Sequence, residues 1–258
     1  MKKLTLLASA ALLTIAACAH TPTETATTET VDISSAAISA DNRSEEDRAK
    51  DETRKPAETL AFTGIASGDT VLEVEAGAGY FTTILSNAVG PEGVVYMQNP
   101  AGFDQFWGGG DPPRLATLPD HVTYVRSNFD DFSAVADASV DVVTWMQGPH
   151  EIWYTPEGAP GPLGDKEKTF SEIARVLKPG GTFIALDHAA PTGSPESTGG
   201  DTHRIDPNHI DKLAASKGLT KTDSSDIFAN PDDNMLSNVF DPAIRGKTNQ
   251  FLIKYTKS

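Results

Sequence analysis

Three groups of residues in this chain have the types and spacing that chemistry needs. The first is Glu73-Val74-Glu75-Ala76-Gly77-Ala78-Gly79, two carboxylates running into a pair of glycines. Without a Cβ, backbone at Gly77 and Gly79 can turn sharply and let a ligand lie against it, with a helix N-terminus beneath. The second group is Gln98-Asn99 and Asn128-Phe129-Asp130. These supply side-chain hydrogen-bonding groups and one ring that either stacks on a ligand or belongs to a core. The third is His150, Glu151, Asp187, His188 and His203. Histidine beside carboxylate can take a proton from a reacting group or hold a metal. No tight ligand spacing such as His-x-x-x-His occurs among them, so the expectation is acid–base catalysis by His150, Asp187 and His188, with no metal. Trp107, Trp145 and Trp153 can line a pocket, although Trp145 lies in an apolar run that suits a core.

For these residues to meet, the chain must carry them to one edge of a sheet. Residues 70–74 read as a short buried strand, and the glycine segment follows it. A helix then places Phe81, Ile84, Leu85 and Ala88 on one face and stops at Gly90, before a second strand over 93–97. Such a strand–glycine loop–helix–strand unit opens a doubly wound sheet. The alternation continues with strands over 122–126 and 140–146, a helix carrying Phe170, Ile173, Ala174 and Leu177, and a strand over 182–186. Residues 100–120 are a Gly/Pro-rich insertion. Asp206-Pro207 caps and starts a helix with Ile210, Leu213 and Ala214, closed by Gly218. Ile227-Phe228, Val239-Phe240 and the apolar stretch 250–255 leave room for two last strands, which fits a seven-stranded sheet better than a symmetric dinucleotide fold. In that topology the carboxyl ends of the parallel strands share one edge, so His150, Asp187 and His188 should flank the glycine loop. Upstream, residues 43–55 are charged and helical in pattern, and Pro56 starts a further helix with Ala57, Leu60 and Ala61 on one face.

Three pieces in order carry a resemblance: the segment 71–82 around the glycine pair, the strand 140–146, and Val176-Leu177-Lys178-Pro179-Gly180-Gly181. Together they resemble the class I S-adenosylmethionine-dependent methyltransferases across residues 55–255. More narrowly, Arg54-Lys55-Pro56-Ala57-Glu58, His203-Arg204-Ile205-Asp206-Pro207 and the segment 239–248 look like an uncharacterised family of exported predicted methyltransferases. The resemblance implies a Rossmann-like, doubly wound, seven-stranded and mostly parallel sheet with a late antiparallel strand, and S-adenosyl-L-methionine as cofactor. It implies cofactor contacts at Glu73, Glu75, Gly77, Gly79, Gln98, Asn99, Asn128, Phe129 and Asp130, and a small-molecule acceptor. Two positions depart from the family pattern. Glu75 stands where the first loop glycine is usual, and Gln98-Asn99 stands where an Asp or Glu usually takes the ribose hydroxyls. The alternatives are a degenerate fold serving as a cell-envelope binding or scaffold protein, and hydrolysis at a His/Asp metal site.

The N-terminus reads as an address. Lys2 and Lys3 precede an apolar run over 4–17 that is too short to span a bilayer comfortably. Ile15-Ala16-Ala17-Cys18 resembles a bacterial lipobox, which implies a signal peptide over 1–18, lipidation at Cys18, and a periplasmic domain anchored to a membrane only by that lipid. Residues 19–42, rich in Thr, Glu, Ala and Ser, read as a disordered tether to a domain over 43–258. A single cysteine excludes an internal disulfide framework and a multi-cysteine zinc site. The formal charge of −15 argues against a nucleic-acid partner, which needs a clustered positive surface.

Overall fold

The computed structural model describes Met1 and residues 33–258. The expected signal peptide, Cys18 and the part of the expected tether up to residue 32 lie outside the described residues. Seven strands form one sheet: β1 (Thr70–Val74), β2 (Val94–Asn99), β3 (Val122–Arg126), β4 (Val140–Met146), β5 (Leu177–His188), β6 (Leu219–Ser225) and β7 (Gln250–Lys257). Their spatial order is β3-β2-β1-β4-β5-β7-β6. β1 pairs in parallel with β2 and β4, and β4 with β5, while β7 runs antiparallel between β5 and β6. This is the doubly wound, mostly parallel sheet with a late antiparallel strand that the sequence pattern implies.

The central strands are short apolar runs because helices cover both of their faces. On one face Leu72, Val74, Val143, Trp145 and Phe183 pack with Phe170 and Ile173 of α6 (Lys166–Val176) and Ile210 and Leu213 of α8 (Pro207–Ser216). On the other, Val71, Val95, Met97 and Ile184 pack with Leu60 of α4 (Pro56–Thr63) and Ile84 and Leu85 of α5 (Tyr80–Val89). Asp206 caps α8 as its sequence position indicates, accepting from Asn208 N at 3.0 Å.

Two expectations are corrected. Within the span expected to be a tether, 19–42, Ile33–Ser39 forms a helix, α1, whose Ala37 is buried and whose Ala37 carbonyl accepts from Asn87 Nδ2 on α5. Small residues with apolar groups at 33, 37 and 38 make a thin face that suffices for docking but carries no strong composition signal. The charged segment beyond it is broken into α2 (Glu45–Arg48) and α3 (Asp51–Arg54), closed by Lys55 in the left-handed region at φ 42°. The sixth strand is also elsewhere: β6 is Leu-Thr-Lys-Thr-Asp-Ser-Ser, exposed along most of its length, with a register shift between Lys221 and Asp223. Residues 227–228 and 239–240 lie in the irregular segment that follows it.

Candidate active site

The loop after β1 is held open by amide side chains. Glu75 adopts φ 58°, the left-handed conformation that glycine takes freely and other residues take at a cost of about 1–2 kcal/mol. Gln98 Oε1 accepts from Glu75 N at 3.0 Å, and Gln98 Nε2 donates to Ser127 O at 2.6 Å. Asn99 Oδ1 accepts from Gly77 N at 2.7 Å while Asn99 Nδ2 donates to Gly77 O at 3.0 Å. Both side chains are fully buried. Gln98 and Asn99 thus brace the loop, each amide pairing with backbone groups on both its oxygen and its nitrogen. An amide both donates and accepts, so it can pair with a peptide unit in a way that a carboxylate cannot.

The two glycines differ. Gly77 has φ 56° and nothing within 4 Å of where a Cβ would point, so its α-carbon faces an open cleft. Gly79, at φ 81°, caps α5 beneath Arg114, whose Cδ would lie 2.8 Å from an added Cβ. Its lack of a side chain serves packing. Arg114 belongs to a 3-10 turn in the insertion, Pro113–Thr117, and no pattern in the sequence marks it. Its guanidinium makes a bidentate pair with Asp47 at 2.6 and 3.0 Å and donates from Nε to Ala78 O at 2.7 Å, which fastens the insertion over the glycine loop.

Glu73, Glu75, Gly77, Tyr80, Arg54 and Gln147 all line the cleft. Burial pushes the Glu73 carboxyl up to about 8, against the bond from Thr82 Oγ1, so it is mainly protonated at neutral pH. Burial, and then the neighbouring Glu151 charge, hold the Glu75 carboxyl well above the usual carboxylate range. Glu75 Oε2 accepts from Trp145 Nε1 at 2.7 Å, so the tryptophan is both core and anchor for this carboxylate. Gly148 leaves the room: a Cβ there would stand 2.1 Å from Glu75 Oε2 and 2.3 Å from Trp145 Nε1. Gly148→Ala is expected to break the Glu75–Trp145 bond and cost about 1–3 kcal/mol by overpacking, read as a lower Tm with altered tryptophan fluorescence. An unchanged Tm and spectrum would mean that the loop relaxes around the methyl group.

The sites expected after β3 are not in this cleft. Phe129 is wholly buried 5.0 Å from the Trp145 ring, a core residue rather than a stacking platform. Asn128 is exposed, and Asp130 stands 3.6 Å from Lys168 Nζ. Of the remaining tryptophans, Trp107 lines the broader mouth of the cleft, and Trp153 packs beneath Gly199 and Gly200.

The histidines meet across the sheet edge, as the strand order requires. His150 and Glu151 sit in the 3-10 turn Pro149–Trp153 after β4, and Asp187-His188 ends β5. Asp187, fully buried, accepts from His150 N at 2.6 Å and His188 N at 2.7 Å, and its Oδ1 lies 2.7 Å from His150 Nδ1. Burial opposes a charge on His150, but Asp187 and Glu151 together outweigh it and lift the imidazole to about 10. Burial likewise opposes charge on Glu151, and the bonds to His150 and His203 bring it down to about 2. His188 differs: burial drives it down to about 4, and its Nδ1 lies 2.7 Å from Thr248 Oγ1. Of the three residues expected to be catalytic, His188 is the one that lines a cavity, together with Gln147, Arg54, Arg245 and Phe240. Arg54 and Gln147 belong to the glycine-loop cleft as well, so the two cavities adjoin.

Comparison with known proteins agrees with this architecture. Residues 72–185 match the family model described as a methyltransferase domain. The chain is 28% identical over 145 residues to the ubiquinone/menaquinone biosynthesis C-methyltransferase UbiE of Klebsiella pneumoniae subsp. pneumoniae, covering 56% of this chain and 53% of that protein. The chain thus spans about half the length of the curated relatives that head the comparison. A structural neighbour is the geranyl diphosphate C-methyltransferase of Streptomyces coelicolor A3(2), solved with Mg2+, geranyl diphosphate and S-adenosyl-L-homocysteine. It has a TM-score of 0.58 and 18% identity, over 86% of this chain and 89% of that one. Another is a S-adenosylmethionine-dependent methyltransferase from Aquifex aeolicus, at TM-score 0.55 and 18% identity over 81% and 93%.

Proposed function

We propose that this chain, whose residues 72–185 match a methyltransferase-domain model and whose fold fits it, transfers a methyl group from S-adenosyl-L-methionine to a small acceptor. The observation that carries the reading is Gly77: a left-handed glycine with open space above it, at the carboxyl end of the central strand and in the cleft beside His188. Methyl transfer asks mainly for alignment of nucleophile and methyl carbon. The glycine loop, Glu73 and Glu75 would hold the cofactor. The adjoining cavity would hold the acceptor, with His188 placed to take its proton. In the tautomer whose Nδ1–H donates to Thr248 Oγ1, His188 Nε2 is the accepting atom. Asp187 acts at one remove, by fixing the backbone of His150 and His188.

Calorimetric titration of the full chain with S-adenosyl-L-homocysteine is expected to show saturable 1:1 binding. No heat at millimolar ligand would overturn the reading. It would favour a degenerate fold used for binding or scaffolding in the envelope, which Gln98 and Asn99, both committed to the loop, specifically support.

The sequence also supports export with a lipid at Cys18, which would place the domain on the periplasmic side of a membrane. Cys18→Ser is expected to release the protein from the membrane fraction and leave an unprocessed precursor. Unchanged fractionation and unchanged size would refute lipidation.

A further inference from the structure

We infer that His150, Glu151 and His203 form a binding site for one divalent first-row transition ion, with open positions toward an aromatic-lined cavity. The inference stands on geometry and is independent of the methyl-transfer reading. Three donor atoms converge: His150 Nε2 and His203 Nδ1 are 3.2 Å apart, His203 Nδ1 and Glu151 Oε1 3.2 Å, and His150 Nε2 and Glu151 Oε1 3.3 Å. Donors about 2.0–2.2 Å from a shared ion stand about 3.0–3.5 Å from one another, between octahedral and tetrahedral angles. The triangle already has the size of one face of such a polyhedron. Without an ion, Glu151 Oε1 can accept from both imidazoles, and a bound ion would take the place of those protons.

The surroundings are those of a built site. Asp187 holds His150 through Nδ1, which points Nε2 toward the other two donors, where a bound ion would displace its proton. Asp187 is itself fixed by two backbone amides. A carboxylate behind a ligating imidazole in this way sets its tautomer and raises its basicity. His203 is the left-handed C-cap, at φ 54°, of the short helix Thr198–Thr202, and its N–H to Thr198 O fixes it there. Its ring lies between Tyr154 and Phe240, at 4.9 and 4.8 Å. Glu151 and His203 face a cavity also lined by Phe103, Phe106 and Tyr154, where the remaining positions of the ion would be exposed.

Two imidazoles and one carboxylate suit Zn2+, Fe2+ or Co2+, and disfavour Mg2+ and Ca2+, which prefer oxygen. The open positions would take water or an anionic oxygen of a small molecule such as a phenolate or carboxylate. Adjacent residues plus a loop 52 positions onward supply the ligands, so no local spacing could reveal them.

The test is titration of the chelator-stripped full chain with Co2+, followed by visible absorption. One saturable equivalent, displaced by Zn2+, is expected. Glu151→Gln and His203→Ala should each weaken it at least tenfold while circular dichroism stays native, Asp187→Asn by about 10–100-fold, and His209→Ala not at all. No saturable uptake, or uptake that survives the ligand substitutions, overturns the inference. If a variant does not fold, X-ray absorption of the Zn2+-loaded wild type decides: two imidazoles and no sulfur support the site, and any other histidine count refutes it.

Discussion

Asp233→Ala is expected to be the most destabilising single change outside the sheet, by about 3–5 kcal/mol. Arg204 and Asp233 form a bidentate pair at 2.8 and 3.1 Å, with side chains 0% and 1% exposed. Removing the carboxylate would leave a guanidinium buried without its counter-charge, and would also orphan the amides of Asn249 and Met235, which donate to Asp233 at 2.7 and 3.1 Å. Arg204 further donates to Ala189 O and Ser237 O, so one ion pair ties the end of β5 to the irregular segment between β6 and β7. A urea midpoint shift with unchanged slope would read out the loss. A loss below about 1 kcal/mol would show that water enters and solvates the arginine in the variant.

Gly77→Val is expected to lower S-adenosyl-L-homocysteine affinity by at least about tenfold, through two separable effects. A β-branched residue resists φ 56°, and its side chain would fill space that is open above Gly77. Stability should fall by a few kcal/mol at most, because nothing in the protein lies within 4 Å of the new Cβ to clash with it. Gly77→Ala separates the effects, since it keeps the backbone penalty and adds far less bulk. If the two variants bind alike, strain in the loop governs affinity. If valine binds as tightly as wild type, the cofactor does not lie on this glycine.

The sheet was legible in the sequence because its central strands are apolar on both faces and are punctuated by glycines, as at Gly77, Gly79 and Gly90. The meeting of His150, Asp187 and His188 was legible for the same reason: strand order alone brings the ends of β4 and β5 together. What the sequence hid is direction. Gln98 and Asn99 occupy the expected position, but their side chains turn inward to peptide groups. Phe129 follows β3 as expected, yet it faces the core. Arg114 and Gly148 owe their importance to contacts 36 and 73 positions away, with Ala78 and Glu75, and residue type alone cannot reveal those. His203 was grouped with the other histidines, but its convergence with Glu151 and His150 was hidden, because these belong to another loop.

The polar composition that concealed β6 also bears on how copies of this domain behave together. A free strand edge offers unpaired amides and carbonyls to any neighbour, and tethering to a surface would raise the frequency of such encounters. β6 presents Lys221 and Asp223 on that edge, with a bulge between them that spoils the regular spacing a second copy would need. Lys221 is further drawn to Asp211 on α8. Pairing there would strip water from charges and meet a broken register, which disfavours extension of the sheet through β6 into another molecule.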